Sequence, residues 1–373
     1  HNLRRLPMYI HEQKNWPDFI WNNDELFNII TKVSFKQGTL LGKMQSLGFD
    51  FRQEALLNNL TEEITKSSEI EGEFLNKDEV RSSIARRLNI HNEKSVGSSH
   101  HIDGVVEIMI DATHNFETSL TYERLCGWHA ALFPTGYSGM YKIKTACYRD
   151  DKEGPMQVVS NNRGREIVYY EAPKASLIKA YMDDFFKWIN ETNDVNPLIK
   201  AAISHLWFIT IHPFEDGNGR IARAITEFML AKAEKSSYRF YSMSAQIQKQ
   251  KNEYYKILEA TQKGMLDVTN WIKWFLETML QALETSETMV SKIIVKAERW
   301  MEFNKFTLDE NQKKMINMLF DGFEGNLTSS KWAKICKCSQ DTASRSIKQL
   351  VEFGILKQQG NGRNTHYVLT CGD

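Results

Sequence analysis

The chain has 373 residues, and its 47 lysines and arginines balance its 47 aspartates and glutamates. That length suits two or three domains with sizeable cores, and the balanced charge leaves no global field to draw the protein to nucleic acid or a membrane surface. No apolar run reaches the roughly eighteen residues of a membrane-spanning helix and no secretory leader is recognisable. Five scattered cysteines, at 126, 147, 336, 338 and 371, fit a reducing cytoplasm better than a disulfide framework.

From His11 to about Ile90 the pattern is helical, with helices expected over 23–47 and 51–68. The run Ser67-Ser68-Glu69-Ile70-Glu71-Gly72 reads by itself as a helix end capped by glycine. Between Gly139 and Pro173 the pattern changes. Residues 148–155 are turn-rich, Met156-Gln157-Val158-Val159-Ser160 is strand-like, 161–164 is a second turn, and Ile167-Val168-Tyr169-Tyr170 is a second strand. Pro197 to Ile211 has apolar residues at helical spacing and predicts a buried helix that Pro213 ends, since proline lacks the amide proton a helix interior needs. Helical periodicity resumes over Arg220–Ala233, with Ile221, Ala224, Ile225, Phe228 and Met229 on one face. That leaves Gly217-Asn218-Gly219 in a loop at a helix N-terminus. Residues 254–262 are helical, and 267 to about 303 predicts one long or broken connecting helix. The C-terminal part, from about 306, has the order of a winged helix-turn-helix: helices over 311–320, 329–336 and 341–353, then strands over 354–357 and 366–369. In a DNA-binding version Ser344, Arg345 and Lys348 would face bases and Arg363 a phosphate, whereas other winged helices dock proteins or dimerise.

The twelve residues from His212 to Arg223 (HPFEDGNGRIAR) carry the chemistry. Amides at a helix N-terminus point outward at its positive end, and the glycines let that backbone approach an anion, so the segment is a phosphate cradle. Asp216 is placed to hold Mg²⁺ shared with phosphate oxygens. Arg220 and Arg223, three apart on the first helical turns, both suit phosphate oxygens. His212 is the candidate general base, and Phe214 an apolar anchor. Residues 360–363 repeat the Gly-Asn-Gly-Arg tetrapeptide, but without His-Pro-Phe before it or a helix after it. That copy reads as a hairpin turn, so the meaning lies in the ordered dozen.

The dozen resembles the signature of Fic-domain proteins, His-x-Phe-x-(Asp/Glu)-Gly-Asn-Gly-Arg-x-x-Arg, and matches it at every fixed position. The resemblance implies a mainly α fold: a Fic-type helical core with a β-hairpin flap, an N-terminal helical extension and the C-terminal winged helix. Domains are then expected at 1–95 (helical region with an inhibitory helix), 96–285 (catalytic core), 286–305 (connecting helix) and 306–373. The implied activity is transfer of AMP from ATP, with Mg²⁺, to a Ser, Thr or Tyr hydroxyl of a target protein, self-modification included. His212 would be the base, Asp216 the metal ligand, and Gly217, Asn218, Gly219, Arg220 and Arg223 the phosphate site. Ser67, Glu71 and Gly72 resemble the family's inhibitory motif, Ser/Thr-x-x-x-Glu-Gly/Asn, whose glutamate takes the second arginine, here Arg223, and fills the place of the γ-phosphate. Gln157, Val158, Val159 and Ser160 resemble the flap that aligns the target by backbone pairing. Relatives often carry Gly-x-x-Arg before the flap, where this chain has Gly139-Met140-Tyr141-Lys142. Tyr254, Tyr255, Leu258 and Gln262 resemble the helix that lines the adenine pocket. The expected protein is therefore an autoinhibited cytoplasmic adenylyltransferase, with a homodimer and DNA binding through 306–373 as further partners. A DNA-binding or toxin-like regulator whose core binds nucleotide, and an enzyme that removes AMP, are the alternatives.

Overall fold

Apolar residues recurring every three to four positions make most of this chain helical. The computed structural model describes residues 9–90, 96–162 and 165–370, with the side chains of 160–162, 165–167 and 363 outside that description. After a short 3₁₀ turn at Ile10–Glu12 come five α-helices: α1 (Asn23–Ser46), α2 (Phe49–Ile70), α3 (Lys77–Arg87), α4 (His100–His114) and α5 (Tyr122–Leu132). Two antiparallel pairs follow, β1 (Tyr137–Ser138) with β2 (Tyr141–Lys142), and β3 (Gln157–Asn162) with β4 (Arg165–Glu171), the latter bulged at Val158/Val159. The β1–β2 pair has no counterpart in the sequence expectations. Then come α6 (Ala175–Glu191), α7 (Pro197–Ile211), α8 (Asn218–Glu234), α9 (Met243–Lys249), α10 (Lys251–Gln262) and α11 (Thr269–Phe303). The remaining elements are α12 (Glu310–Phe320), α13 (Ser329–Cys336), α14 (Gln340–Glu352) and the antiparallel hairpin of β5 (Leu356–Gln359) and β6 (His366–Leu369).

The chain divides into two compact units, His1–Val290 and Ser291–Asp373. In the first, α7 is mostly apolar and buried on every face along its length, so the other helices are arranged about it. Its most extensive partner is α8, which also packs on α4. Helix α2 is no appendage. Leu56, Leu57, Leu60, Ile64 and Ile70 are buried, and polar pins fix it to the start of α9 and the segment before it. The Asn59 amide donates to the carbonyls of Arg239 and Tyr241 at 3.0 and 3.1 Å, and Glu63 accepts from Ser242 Oγ at 2.6 Å and from the Ser244 amide at 2.9 Å. Arg239 itself lies fully buried between Glu227 and Glu234. The N-terminal helices and the segment bearing the signature thus share one core. Helix α11 is continuous over Thr269–Phe303, the long form of the helix expected from 267 to about 303.

The second unit has its own core of Met315, Ile316, Leu327, Trp332, Ala343, Ile347, Leu350, Ile355 and Leu356. Ser344, Arg345 and Lys348 stand on the exposed face of α14, and the second Gly-Asn-Gly-Arg copy lies between β5 and β6. No helix among the described residues is long and apolar enough to cross a membrane.

Gly104 marks a close approach of α4 and α5: an added Cβ would meet the Ala131 carbonyl oxygen at 1.9 Å. Backbone cannot yield as a flexible side chain does. Gly104→Ala is expected to lower stability by about 2–3 kcal/mol in a denaturant titration, and an unchanged midpoint would contradict this packing.

Candidate active site

Pro213 sets the geometry. A residue before proline is pushed out of the right-handed helical region, and His212 takes a left-handed conformation, φ 52° and ψ 58°, that ends α7. Arg149, 3% exposed, holds this turn from outside. Its Nε donates to the His212 carbonyl at 2.8 Å, Nη2 to the Pro173 carbonyl at 2.5 Å, and its backbone N–H to the Pro213 carbonyl at 2.9 Å. Asn218 closes the loop from inside, its Oδ1 accepting from the Phe214 N–H at 3.0 Å and its Nδ2 donating to the Phe214 carbonyl at 2.8 Å. Phe214 is fully buried and stacks on His129, with ring centroids 4.1 Å apart. His129 accepts the Ala146 N–H on Nδ1, so Nε2 carries its proton and donates to the Asp216 carbonyl at 3.2 Å.

The helix after this loop starts earlier than its periodicity suggests. Asn218 and Gly219, expected in the loop, are the first residues of α8, because Gly217 makes the turn alone at φ 79°. Only glycine suits that position: a Cβ there would meet Leu132 Cδ2 at 2.6 Å and Phe133 Cε2 at 2.8 Å. Helix α8 has no side-chain N-cap, so its first-turn amides remain available to an anion.

His212 lines a cavity of about 860 Å³. Its Nδ1 lies 3.2 Å from the Ile209 carbonyl. A carbonyl can only accept, so Nδ1 carries the proton and the lone pair is on Nε2. Burial pushes the imidazole down from 6.5 to about 4, the Ile209 carbonyl opposing, and keeps it neutral near pH 7. Asp216, Gly217, Asn218 and Gly219 line the same cavity, as do Tyr254, Tyr255, Leu258 and Gln262 from α10 and Gln157, Val158 and Val159 from β3. The Ser160 side chain lies outside the described residues. Asp216 accepts from the Gly217 N–H at 2.6 Å on Oδ1 and from the Ser138 hydroxyl on Oδ2. Each oxygen keeps a further lone pair, so this carboxylate fits the single protein ligand of an Mg²⁺ shared with phosphates. Among the described residues, no group of three histidine, cysteine or acidic side chains would hold a metal by itself.

The two arginines are already paired. Arg223, 2% exposed, donates from Nε to Ser67 Oγ at 2.8 Å and from Nη2 to the Ser67 carbonyl at 2.9 Å and to Glu71 Oε1 at 2.7 Å. Glu71 is the C-cap of α2, Gly72 turns the chain at φ 84°, and Glu73 then takes Arg220 Nη1 at 2.8 Å while also pairing with His101. The Glu71 carboxylate lies directly on the cradle, since a Cβ on Gly219 would come within 2.1 Å of Glu71 Oε1.

Residues 119–230, which contain this loop, match the Fic/DOC family, and residues 9–90 match a domain of unknown function, DUF4172. The chain carries a Fic/DOC family domain. Protein adenylyltransferase Fic from Drosophila mojavensis is 28% identical over 105 residues, 28% of this chain and 19% of that protein, and the Drosophila grimshawi protein of the same name is 28% identical over 105 residues, 20% of its length. The match thus spans about a fifth of each relative. A Fic family protein from Desulfovibrio desulfuricans G20 shares the fold at a TM-score of 0.56 and 20% identity, over 93% of this chain and 96% of that one. A Fic domain containing signaling protein from Bacteroides thetaiotaomicron does so at 0.51 and 22%, over 71% and 96%.

Around the Fic signature, the sequence reading passed over Arg149, His129, Ser138 and Glu73. It sought Gly-x-x-Arg at Gly139-Met140-Tyr141-Lys142, where Gly139 and Met140 instead make the β1–β2 turn and Tyr141 and Lys142 are β2. The buried arginine comes seven residues later, in Ala146-Cys147-Tyr148-Arg149, and Ala146 stands at φ 58°, where glycine is favoured. A Cβ in the left-handed region costs roughly 1–2 kcal/mol, partly offset by the extra freedom of unfolded glycine. Ala146→Gly is therefore expected to stabilise the protein by about 0.5–1 kcal/mol, read as a higher denaturant midpoint. A lower midpoint would show that alanine is unstrained there.

Proposed function

We propose that this protein is an autoinhibited protein adenylyltransferase, transferring AMP from ATP to a hydroxyl of a target protein and releasing pyrophosphate. One observation carries the reading: a base with its lone pair on Nε2, an open helix N-terminus and a carboxylate seated on that cradle against Arg223 meet at one cavity. The adenylyltransferase relatives support the same chemistry. His212 Nε2 takes the hydroxyl proton as that oxygen attacks the α-phosphorus, a form of general-base help that typically contributes about 10²–10⁴-fold. The α8 amides and dipole hold the α- and β-phosphates, and Asp216 would hold the Mg²⁺ that neutralises phosphate charge. Arg220 and Arg223 take the far end of the triphosphate, which requires each to leave its carboxylate. Tyr255 and Leu258 give the adenine an apolar wall, and Gln262 a polar edge. The β3 segment Gln157–Ser160 aligns the target by backbone pairing.

A Glu71→Gly chain incubated with Mg²⁺ and ATP is expected to pass label from the α-phosphate, and none from the γ-phosphate, to itself or to proteins of a cell lysate. His212→Ala in that background is expected to abolish the transfer. Transfer of γ-label, or none of either, would overturn the reading. The pH profile gives an independent check. His212 works as the neutral base, so a value lowered to about 4 keeps transfer level through neutral and mildly acidic pH and lets it fall only as pH drops through that value. A half-maximal rate near 6.5, the ordinary histidine value, would show that burial does not govern this imidazole.

A further inference from the structure

Arg223 faces a problem that the signature does not solve. It is 2% exposed, and a buried guanidinium whose carboxylate leaves must be held by neutral acceptors until phosphate arrives. Ser67 supplies two such contacts on one side. On another, Arg223 Nη1 is buried with no hydrogen bond in the protein, and Tyr254 is the neighbouring phenol that interacts with the guanidinium.

The direction of the hydrogen bonds behind Tyr254 follows from counting protons. Thr226 Oγ1 donates its single proton to the Ala222 carbonyl at 3.0 Å. Toward His205 Nδ1, at 2.9 Å, it can therefore only accept, so His205 carries its proton on Nδ1. His205 Nε2 then has the lone pair and must accept from Tyr254 Oη, 2.9 Å away. The phenol proton is thereby turned toward His205, and the phenol oxygen is left with its lone pairs for the guanidinium. Burial pushes His205 down to about 3, with Arg223 adding to the effect, so the ring stays neutral and keeps accepting. Trp271 flanks His205 and Tyr254 at ring-centroid distances of 5.6 and 6.4 Å. The relay spans α7, α10 and α8 and touches none of the reacting atoms.

We propose that His205 and Tyr254 are positioning residues, a fixed hydrogen-bond relay that presents the phenol oxygen to Arg223 and keeps its guanidinium aimed at the γ-phosphate once Glu71 has left. The inference rests on the adenylyl-transfer reading above, in which Arg223 meets only the far end of the triphosphate. ATP and AMP therefore separate positioning from mere structure. A loss of packing weakens both ligands, whereas a misaimed Arg223 weakens ATP far more than AMP.

The test is equilibrium binding by calorimetry in the full-length Glu71→Gly chain with Mg²⁺. Tyr254→Phe and His205→Leu are each expected to weaken ATP about ten-fold, the scale of leaving a buried charged donor without a neighbouring acceptor, and to weaken AMP far less. The double variant should lose no more than either single one, because the two act in series. His205→Gln, which restores an acceptor near the Nε2 position, should recover most of the ATP affinity. Unchanged ATP affinity in Tyr254→Phe, or a parallel loss for AMP, would overturn the relay while leaving adenylyl transfer standing. A Glu71→Gly chain that binds ATP but transfers no AMP would overturn the transfer reading alone, and one that binds no ATP would overturn both.

Discussion

The structure turns on one buried positive charge. Arg223 has almost no contact with solvent, and its guanidinium is answered by Glu71, 2.7 Å away. Truncating one partner of a buried pair costs about 3–5 kcal/mol because the other charge is stranded. Glu71 is about one-third exposed, which places this pair toward the lower end. The consequence is an exchange of anions: the carboxylate leaves cheaply only when a phosphate takes its place. Under the proposed function, inhibition and substrate binding draw on that same charge.

The surroundings make that exchange local. Helix α2 is pinned along its length by apolar burial and by Asn59 and Glu63, so Glu71 hangs from the end of a fixed support. Gly72 turns the chain immediately afterwards, and Glu73 reaches Arg220. Three residues thus place two carboxylates on both arginines of the signature. On the other side of the loop, Arg149 and Asn218 hold the backbone of residues 212–214 through carbonyl and amide contacts, which fixes His212 without using its imidazole. The residues that hold His212 in place come from outside α7, the helix it ends.

That division explains what could be read from the sequence. The cradle was legible because its parts are consecutive: a proline that ends a helix, glycines that open the backbone and arginines one turn apart. The β3–β4 hairpin was legible from alternation between turn-rich runs, and α7 from unbroken apolar periodicity. The same periodicity hid His205, which sits in that apolar helix and is satisfied by residues 21 and 49 positions away. Arg149 was hidden for a related reason. It bonds to a carbonyl 63 residues on, within a turn-rich stretch that has no periodicity of its own, and an alanine stands at the left-handed position where a glycine would have flagged it. The shared core of the N-terminal helices and the signature segment was equally invisible, because Asn59 and Glu63 meet partners about 180 residues away.

The central claim is that Glu71 and the triphosphate compete for Arg223. Its most direct measurement is the initial rate of α-phosphate label transfer by the wild-type and Glu71→Gly chains, side by side with Mg²⁺ and at an ATP concentration far below saturation of either chain. A bias of about 2–3 kcal/mol toward the paired state predicts a rise of roughly 30–150-fold in the variant. Equal rates, or a slower variant, would contradict the account.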